Sequence, residues 1–217
     1  LIRKRSLEII LSRLDDMNDP APDLEQYRTP SDAVSDMLFL AASLGDIEGR
    51  SVAELGCGGA PFLIGAVLLG ASRGYGCDID ERAVRLALSN TDRVRSERPD
   101  MPGWADLTIE QADVSDPGFA PPLVHTVLMN PPFGAQARGA DRPFMDRAME
   151  MASVIHSVHN GVSYGFIKGM LEGNGWQVTH RTDAPMEIKR RFHFHDREKV
   201  CVPTVRIRAV KGTQMLR

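Results

Sequence analysis

Two segments of this 217-residue chain hold residue types suited to chemistry. The more specific is Asn130-Pro131-Pro132-Phe133. A Pro-Pro pair fixes two φ angles and removes two N–H donors, which makes a stiff corner whose carbonyls point in set directions. The Asn130 side-chain oxygen and the Pro131 carbonyl can each accept one N–H of a planar amine on an aromatic ring, such as N6 of adenine. Two acceptors hold the nitrogen, favour localisation of its lone pair as it attacks, and stabilise the developing positive charge. Placing the reactants in line supplies much of the rate. No strong base is needed beforehand, because the amine's proton becomes acidic once the nitrogen is alkylated. Phe133 offers a face on which a base can stack. In isolation the same corner would be no more than a rigid turn.

The second segment is Glu54-Leu55-Gly56-Cys57-Gly58-Gly59-Ala60-Pro61, a glycine turn between a strand and a helix. Glycines let a ligand approach the main chain closely, and Pro61 suits the first helical position. Nucleotide dehydrogenases use such a turn as well, so the acids that follow decide its ligand. Asp78 ends the second strand, where a carboxylate can accept from both ribose hydroxyls. Asp113, in Gln111-Ala112-Asp113-Val114, ends the third strand and can accept from an adenine amino group. Glu54 repels a pyrophosphate but attracts the ammonium of a methionine moiety. The set therefore fits S-adenosylmethionine better than NAD. Cys57 reads as a small turn residue, since no local His pairs with it.

The elements that must position these groups follow from hydrophobic period. Leu7, Ile10, Leu11 and Leu14 give one apolar stripe and predict a helix over 1–17, and a second helix runs from Ser31 to about Leu44. From Ser51 short apolar strands alternate with helices. Strands are expected at 51–55, 73–77, 107–111, 124–129, 154–158, 176–180 and 200–210, and helices at 61–69, 81–96, 143–151 and 162–172. Alternation of this kind implies an α/β fold, a mostly parallel sheet with helices on both faces. The catalytic corner and the acids then share the carboxyl edge of the sheet, where such folds bind ligands. Two organisational units are expected, a helical arm at 1–45 and a main domain at 46–217.

Composition bounds the rest. Lys and Arg number 26 against 29 Asp and Glu, a formal charge of −3, so the surface as a whole is not basic. A nucleic-acid partner must then meet a local footprint or one supplied by another subunit. Arg138 and Arg142 in 135–142 read either as a basic lid over the substrate or as a solvated loop. Lys189, Arg190 and Arg191 with Phe192 and Phe194 read either as a contact to phosphates and bases or as a solvated hairpin, diluted by Glu187, Asp196 and Glu198. No run is long and apolar enough to span a membrane. The start of the chain lacks the apolar core of a secretory signal, and Cys57, Cys77 and Cys201 lie far apart, so a cytoplasmic setting is expected. His193 and His195 lack a third ligand, and no metal site is expected. His125 and His156 read as packed strand residues.

Together these residues resemble class I S-adenosylmethionine-dependent methyltransferases, and more narrowly the methyltransferase-like protein 5 family of N6-adenine ribosomal RNA methyltransferases and its archaeal relatives. The narrower likeness is carried by Leu24-Glu25-Gln26-Tyr27 with Thr29 in front of the fold, Cys77-Asp78-Ile79-Asp80, and Phe192-His193 before the last strand. The resemblance implies a seven-stranded Rossmann-like sheet with one antiparallel strand near the C-terminus. It implies that Gln26, Tyr27 and Thr29 meet the cofactor from the arm, that Gly56, Gly58, Gly59 and Pro61 line its methionine end, and that Asp78, Asp113 and Val114 line its adenosine. It implies RNA, and within it the small-subunit ribosomal RNA, as acceptor, with DNA adenine, a protein glutamine amide or a non-catalytic ribosome-assembly role as alternatives. It also implies a small zinc-binding activator subunit along an edge strand, for which 107–110 is the candidate. The chain departs from the family at Ala60, where glycine is usual, and at Pro61.

Overall fold

Leu7 and Leu11 bury one stripe of the first helix, α1 (Lys4–Ser12), against Leu38 and Ile64 of the main body's core. A computed structural model describes residues 2–21, 24–134, 139–189 and 199–212. Burying each of these leucines contributes about 1.5–3 kcal/mol, which fastens the arm to the sheet. The helix is shorter than the expected 1–17. Its end is taken over by Arg28, whose guanidinium donates to the carbonyls of Leu11 at 2.5 Å and Leu14 at 2.9 Å. The chain then turns toward Asn90, which accepts from the Asp15 N–H at 2.8 Å.

The elements that follow are α2 (Ser31–Ser43), β1 (Ser51–Leu55), α3 (Pro61–Leu68), β2 (Arg73–Asp78), α4 (Glu81–Glu97), β3 (Leu107–Gln111), β4 (Thr126–Met129), α5 (Arg142–Met151), β5 (Val154–Asn160), α6 (Tyr164–Gly173), β6 (Trp176–Asp183), β7 (Met186–Lys189), β8 (Lys199–Val202) and β9 (Thr204–Lys211). Seven strands form one sheet in the order β3-β2-β1-β4-β5-β9-β6. The first five run parallel, and β9 is antiparallel to both its neighbours. The mostly parallel sheet is the one that the alternation implied, and its seven strands with one antiparallel strand near the C-terminus are those that the resemblance implied. Side chains alternate across the sheet with period two. Val127 and Met129 of β4 join a core with Met145, Ile167 and Leu171 on the α5–α6 face, and Leu128 joins the α1–α3 core on the other.

Two sequence expectations change. The fourth strand begins at Thr126 rather than 124, because the Val124 N–H bonds to the Met151 carbonyl outside the ladder. The expected closing strand over 200–210 is two strands broken at Pro203, which has no N–H to give a ladder. Before that break, β8 stands apart from the main sheet and pairs with β7. The basic, aromatic stretch at 190–198 lies outside the described residues.

Register decides where chemistry can sit. Leu55 pairs with Cys77 on one side and Met129 on the other, and Asp78 pairs with Gln111. The residues just past these pairs, Gly56, Ala112 and Asn130, therefore emerge in a row with Asp78 at the carboxyl edge of four adjacent strands.

Candidate active site

A cavity of about 360 Å³ opens along this row. That is ample for a nucleoside-sized ligand. Its walls come from the glycine turn, the ends of β2, β3 and β4, the start of α5, and the arm from Leu14 to Thr29.

The glycine turn is held open by its neighbours. Gly56 and Gly58 adopt positive φ, +64° and +51°. A Cβ on Gly56 would lie 2.9 Å from the Phe144 ring, whereas nothing lies within 4 Å of the place a Cβ would take on Gly58. That empty place faces the backbone a ligand would approach. Ala60 sits in the left-handed region at φ +59°, which accounts for the glycine usual in the family. It gives α3 no side-chain cap. Glu54 replaces one: its carboxylate accepts from the N–H groups of Phe62 at 3.3 Å and Leu63 at 2.7 Å. Burial pushes the Glu54 carboxyl well above its ordinary value, against the pull of those two N–H groups.

Asp78 stands at the end of β2 as expected. One oxygen accepts from Gly58 N–H at 2.8 Å and the other from Asp80 N–H at 3.0 Å. Burial raises its pKa in spite of those bonds. Each oxygen keeps lone pairs for a further donor. Asp113 turns its own loop by accepting from the N–H and hydroxyl of Ser115, and it lines the cavity with Val114. Burial, reinforced by Glu54, holds the Cys57 thiol far above its ordinary value, and burial lifts Cys77 to about 12. Neither is a nucleophile.

Asn130 lies at the opposite wall. Its Nδ2 donates to Thr29 Oγ1 at 2.8 Å, and its Oδ1 is buried with no partner among the described residues. Pro132 lines the cavity beside it, while Pro131 is buried and Phe133 stands behind the corner. The Phe133 ring packs at 5.3 Å from that of Tyr27, tilted by 52°. Tyr27 Oη is a second buried polar atom without a partner among the described residues, and burial, helped by the Glu25 charge, keeps its phenol protonated. Gln26 spans the arm and α4: its Oε1 accepts from Ala21 N–H at 2.7 Å and its Nε2 donates to Asp80 at 3.0 Å.

Four cavity or supporting residues escaped the sequence reading. Phe144 and Pro143 enter from the start of α5. Glu25 accepts from Phe133 N–H at 2.8 Å. Asn90, fully buried in α4, accepts from the Asp15 N–H and donates to the carbonyls of Asp15 and Gly59, tying the arm to the glycine turn. Only Glu25 had a signal, its place beside Gln26. Among the described residues no group of three His, Cys, Asp or Glu side chains is placed to hold a metal ion, and no helix is long and apolar enough to cross a membrane.

Known proteins resemble both the whole chain and its cofactor half. The family model for ribosomal protein L11 methyltransferase (PrmA) matches residues 38–114, from α2 to the end of the Asp113 loop. An uncharacterised protein of Methanocaldococcus jannaschii, MJ0284, is 33% identical over 97% of this chain and 95% of its own. The rRNA N6-adenosine-methyltransferase METTL5 of zebrafish, Danio rerio, is 31% identical over 92% of this chain and 94% of its own. The chain belongs to the METTL5 family. The solved structure of PH1948 from Pyrococcus horikoshii, a candidate RNA methyltransferase, superposes with a TM-score of 0.85 at 37% identity, covering 98% of this chain and 99% of that one. This METTL5-family chain is thus an S-adenosylmethionine-dependent methyltransferase. The cavity fits that cofactor: acids at the strand ends for hydroxyl and amino donors, and an open backbone cradle at Gly58, while the guanidinium of Arg28 in its wall is engaged by the Leu11 and Leu14 carbonyls.

Proposed function

We infer that this enzyme methylates N6 of adenosine in structured RNA, and specifically in the ribosomal RNA of the small subunit. The observation that carries the reading is the buried Oδ1 of Asn130 at the wall of the cofactor cavity, without a hydrogen-bond partner among the described residues. A buried acceptor without a donor costs about 1–3 kcal/mol, a cost removed when an amine N–H reaches it. The family's METTL5 members, named for rRNA N6-adenosine methylation, supply the acceptor class.

In this reading Asp78 holds the ribose hydroxyls, and Asp113 with Val114 holds the adenine. Gly56, Gly58, Gly59 and Pro61 receive the methionine end, with Glu54 beneath it. Gln26, Tyr27 and Thr29 close the arm over the cavity. S-adenosylmethionine supplies an electrophilic methyl group on sulfonium when bound. Asn130 Oδ1 and the Pro131 carbonyl accept the two N–H groups of the target amine and aim its lone pair. Pro132 keeps the corner stiff, and Phe133, packed against Tyr27, offers a ring face to the base. The new bond would join nitrogen to the methyl carbon as the sulfur–methyl bond breaks with its electron pair returning to sulfur, leaving S-adenosylhomocysteine, and the proton shed by the methylated nitrogen would pass to water. The target base must be unpaired or flipped to reach this wall.

The helical arm at 1–45 serves the domain at 46–217 as its cofactor clamp. A small zinc-binding activator is proposed along β3, whose outer edge no strand in the described residues pairs. A cytoplasmic place of action follows from a ribosomal substrate. Transfer of tritium from labelled cofactor to ribosomal RNA, DNA and protein tests the acceptor. Nucleosides of small-subunit RNA from a deletion strain should lack one N6-methyladenosine, restored by this chain and not by Asn130→Ala. Label entering DNA or protein alone, or an unchanged nucleoside profile, would overturn the reading.

A further inference from the structure

The arm does more than cover the cofactor. Three consecutive contacts from it grip the proline corner: Glu25 accepts from Phe133 N–H, Tyr27 packs on the Phe133 ring, and Thr29 accepts from Asn130 Nδ2. The grip is tight enough to hold Glu25 at φ +50°, a left-handed conformation that costs a non-glycine residue about 1 kcal/mol. Thr29 itself is buried.

An amide side chain has two chemically opposite ends. With its nitrogen end taken by Thr29, Asn130 leaves its oxygen end bare and buried. Turned the other way, the NH2 group would face the incoming amine, and two donors would meet. A hydroxyl can meet either end, but the reverse turn would bury two unmet N–H donors in place of one acceptor, so Thr29 anchors the amide in the arrangement that presents its oxygen.

We propose that Thr29 is a positioning residue for methyl transfer: its hydroxyl holds the Asn130 amide with Oδ1 toward the target nitrogen, rather than serving chiefly as a cofactor contact. The proposal rests on the role given to Asn130 above. It predicts that loss of the hydroxyl damages the chemical step more than cofactor binding.

The test uses the full chain, labelled cofactor, and total ribosomal RNA from a deletion strain. Thr29→Val keeps the shape and removes the oxygen, and Thr29→Ala is a second hydroxyl-free variant should the first fold poorly by its melting temperature. The expected result is a kcat at least about tenfold lower, the worth of one lost hydrogen bond of about 1.4 kcal/mol, with S-adenosylhomocysteine affinity within about twofold of wild type. Thr29→Ser should bring kcat back to within about threefold. An unchanged kcat in the hydroxyl-free variants overturns the proposal, as does a defect that disappears at saturating cofactor. Asn130→Ala run alongside separates the two ideas. If it retains full turnover, the reading of Asn130 itself is wrong, whereas loss of turnover there with an unaffected Thr29→Val removes only the positioning role.

Discussion

Glu54 Oε2 accepts the backbone N–H of Leu63 at 2.7 Å, so a carboxylate on the first strand closes the first turn of the helix that follows it. The bond explains why a carboxylate is retained in a dry place. Four N–H groups at a helix start need partners. Ala60, in its left-handed conformation, supplies none from its side chain, and Glu54 reaches two of them from beneath the turn. The acid read from sequence as an attractor of ammonium thus also builds the turn that a ligand would occupy.

Removing that carboxylate should cost stability as well as binding. Glu54→Ala strands two buried donors and leaves a small void, a loss of about 2–4 kcal/mol. Urea unfolding should show a lower midpoint with a similar slope. A shift worth less than about 0.5 kcal/mol would mean water satisfies those N–H groups unaided.

The raised carboxyls give cofactor binding a pH signature. Burial lifts both Glu54 and Asp78, so the folded protein without ligand holds more protons than the unfolded chain. The stability that follows is fully present below the ordinary carboxylate range and is lost as pH rises through the raised values. A cationic ligand favours the ionised forms and expels protons on binding. Calorimetry with S-adenosylmethionine in two buffers of different ionisation enthalpy should show net proton release where the raised groups are protonated, and affinity should weaken as pH falls through the raised values. Proton uptake would place the ligand's positive charge elsewhere.

Much of this site is legible in the sequence because it sits at strand ends. Short apolar runs locate β1 to β4, parallel register aligns their last residues, and Gly56, Asp78 and Asn130 fall into a row without further information. What is not legible comes from contacts between distant segments. Nothing in the neighbourhood of Asn90 says that it meets Asp15, 75 positions away, or Gly59. The partner of the Asn130 amide lies 101 positions earlier. The break at Pro203 was readable in principle, since a proline within a β-branched run marks an edge or an end.

Asn90 is a place where a mutation far from the reacting atoms should act on ligand affinity. Asn90→Ala unpairs the Asp15 N–H and removes the donors shared by Asp15 and Gly59, in a fully buried setting. The cost to stability should be about 2–3 kcal/mol, and freeing the arm from the glycine turn should weaken S-adenosylhomocysteine binding about tenfold. Calorimetry on the folded fraction checks it. Unaltered affinity would show that the arm closes over the cavity without the Asn90 tie.

The far side of the sheet offers a test of stability without any bearing on the cavity. Asp46 accepts from Arg208 Nε at 2.7 Å and Nη2 at 2.9 Å, and its Oδ2 lies 2.8 Å from His156 Nε2. These contacts tie the turn after α2 to β5 and to the antiparallel strand β9. Burial, with Arg208 adding to it and the Asp46 hydrogen bond opposing, holds His156 below its ordinary pKa. Hydrogen bonds from Arg208 and His156 outweigh burial and hold Asp46 below its own. Both shifts have the same sign for linkage: the folded state binds fewer protons than the unfolded chain, so stability is present above the unfolded values and falls with acidification. The His156 share is lost first, from about pH 6.5 downward, with a slope of up to about 1.4 kcal/mol per pH unit for one proton. Below the ordinary carboxylate range Asp46 adds its own loss. His156→Gln should flatten the first phase of a urea-midpoint titration while leaving the second. Asp46→Ala should cost about 3–5 kcal/mol at neutral pH, because it abandons the Arg208 charge in a largely buried place. A His156→Gln titration that matches wild type between about pH 7 and about pH 5 would mean that the imidazole titrates freely in the folded state.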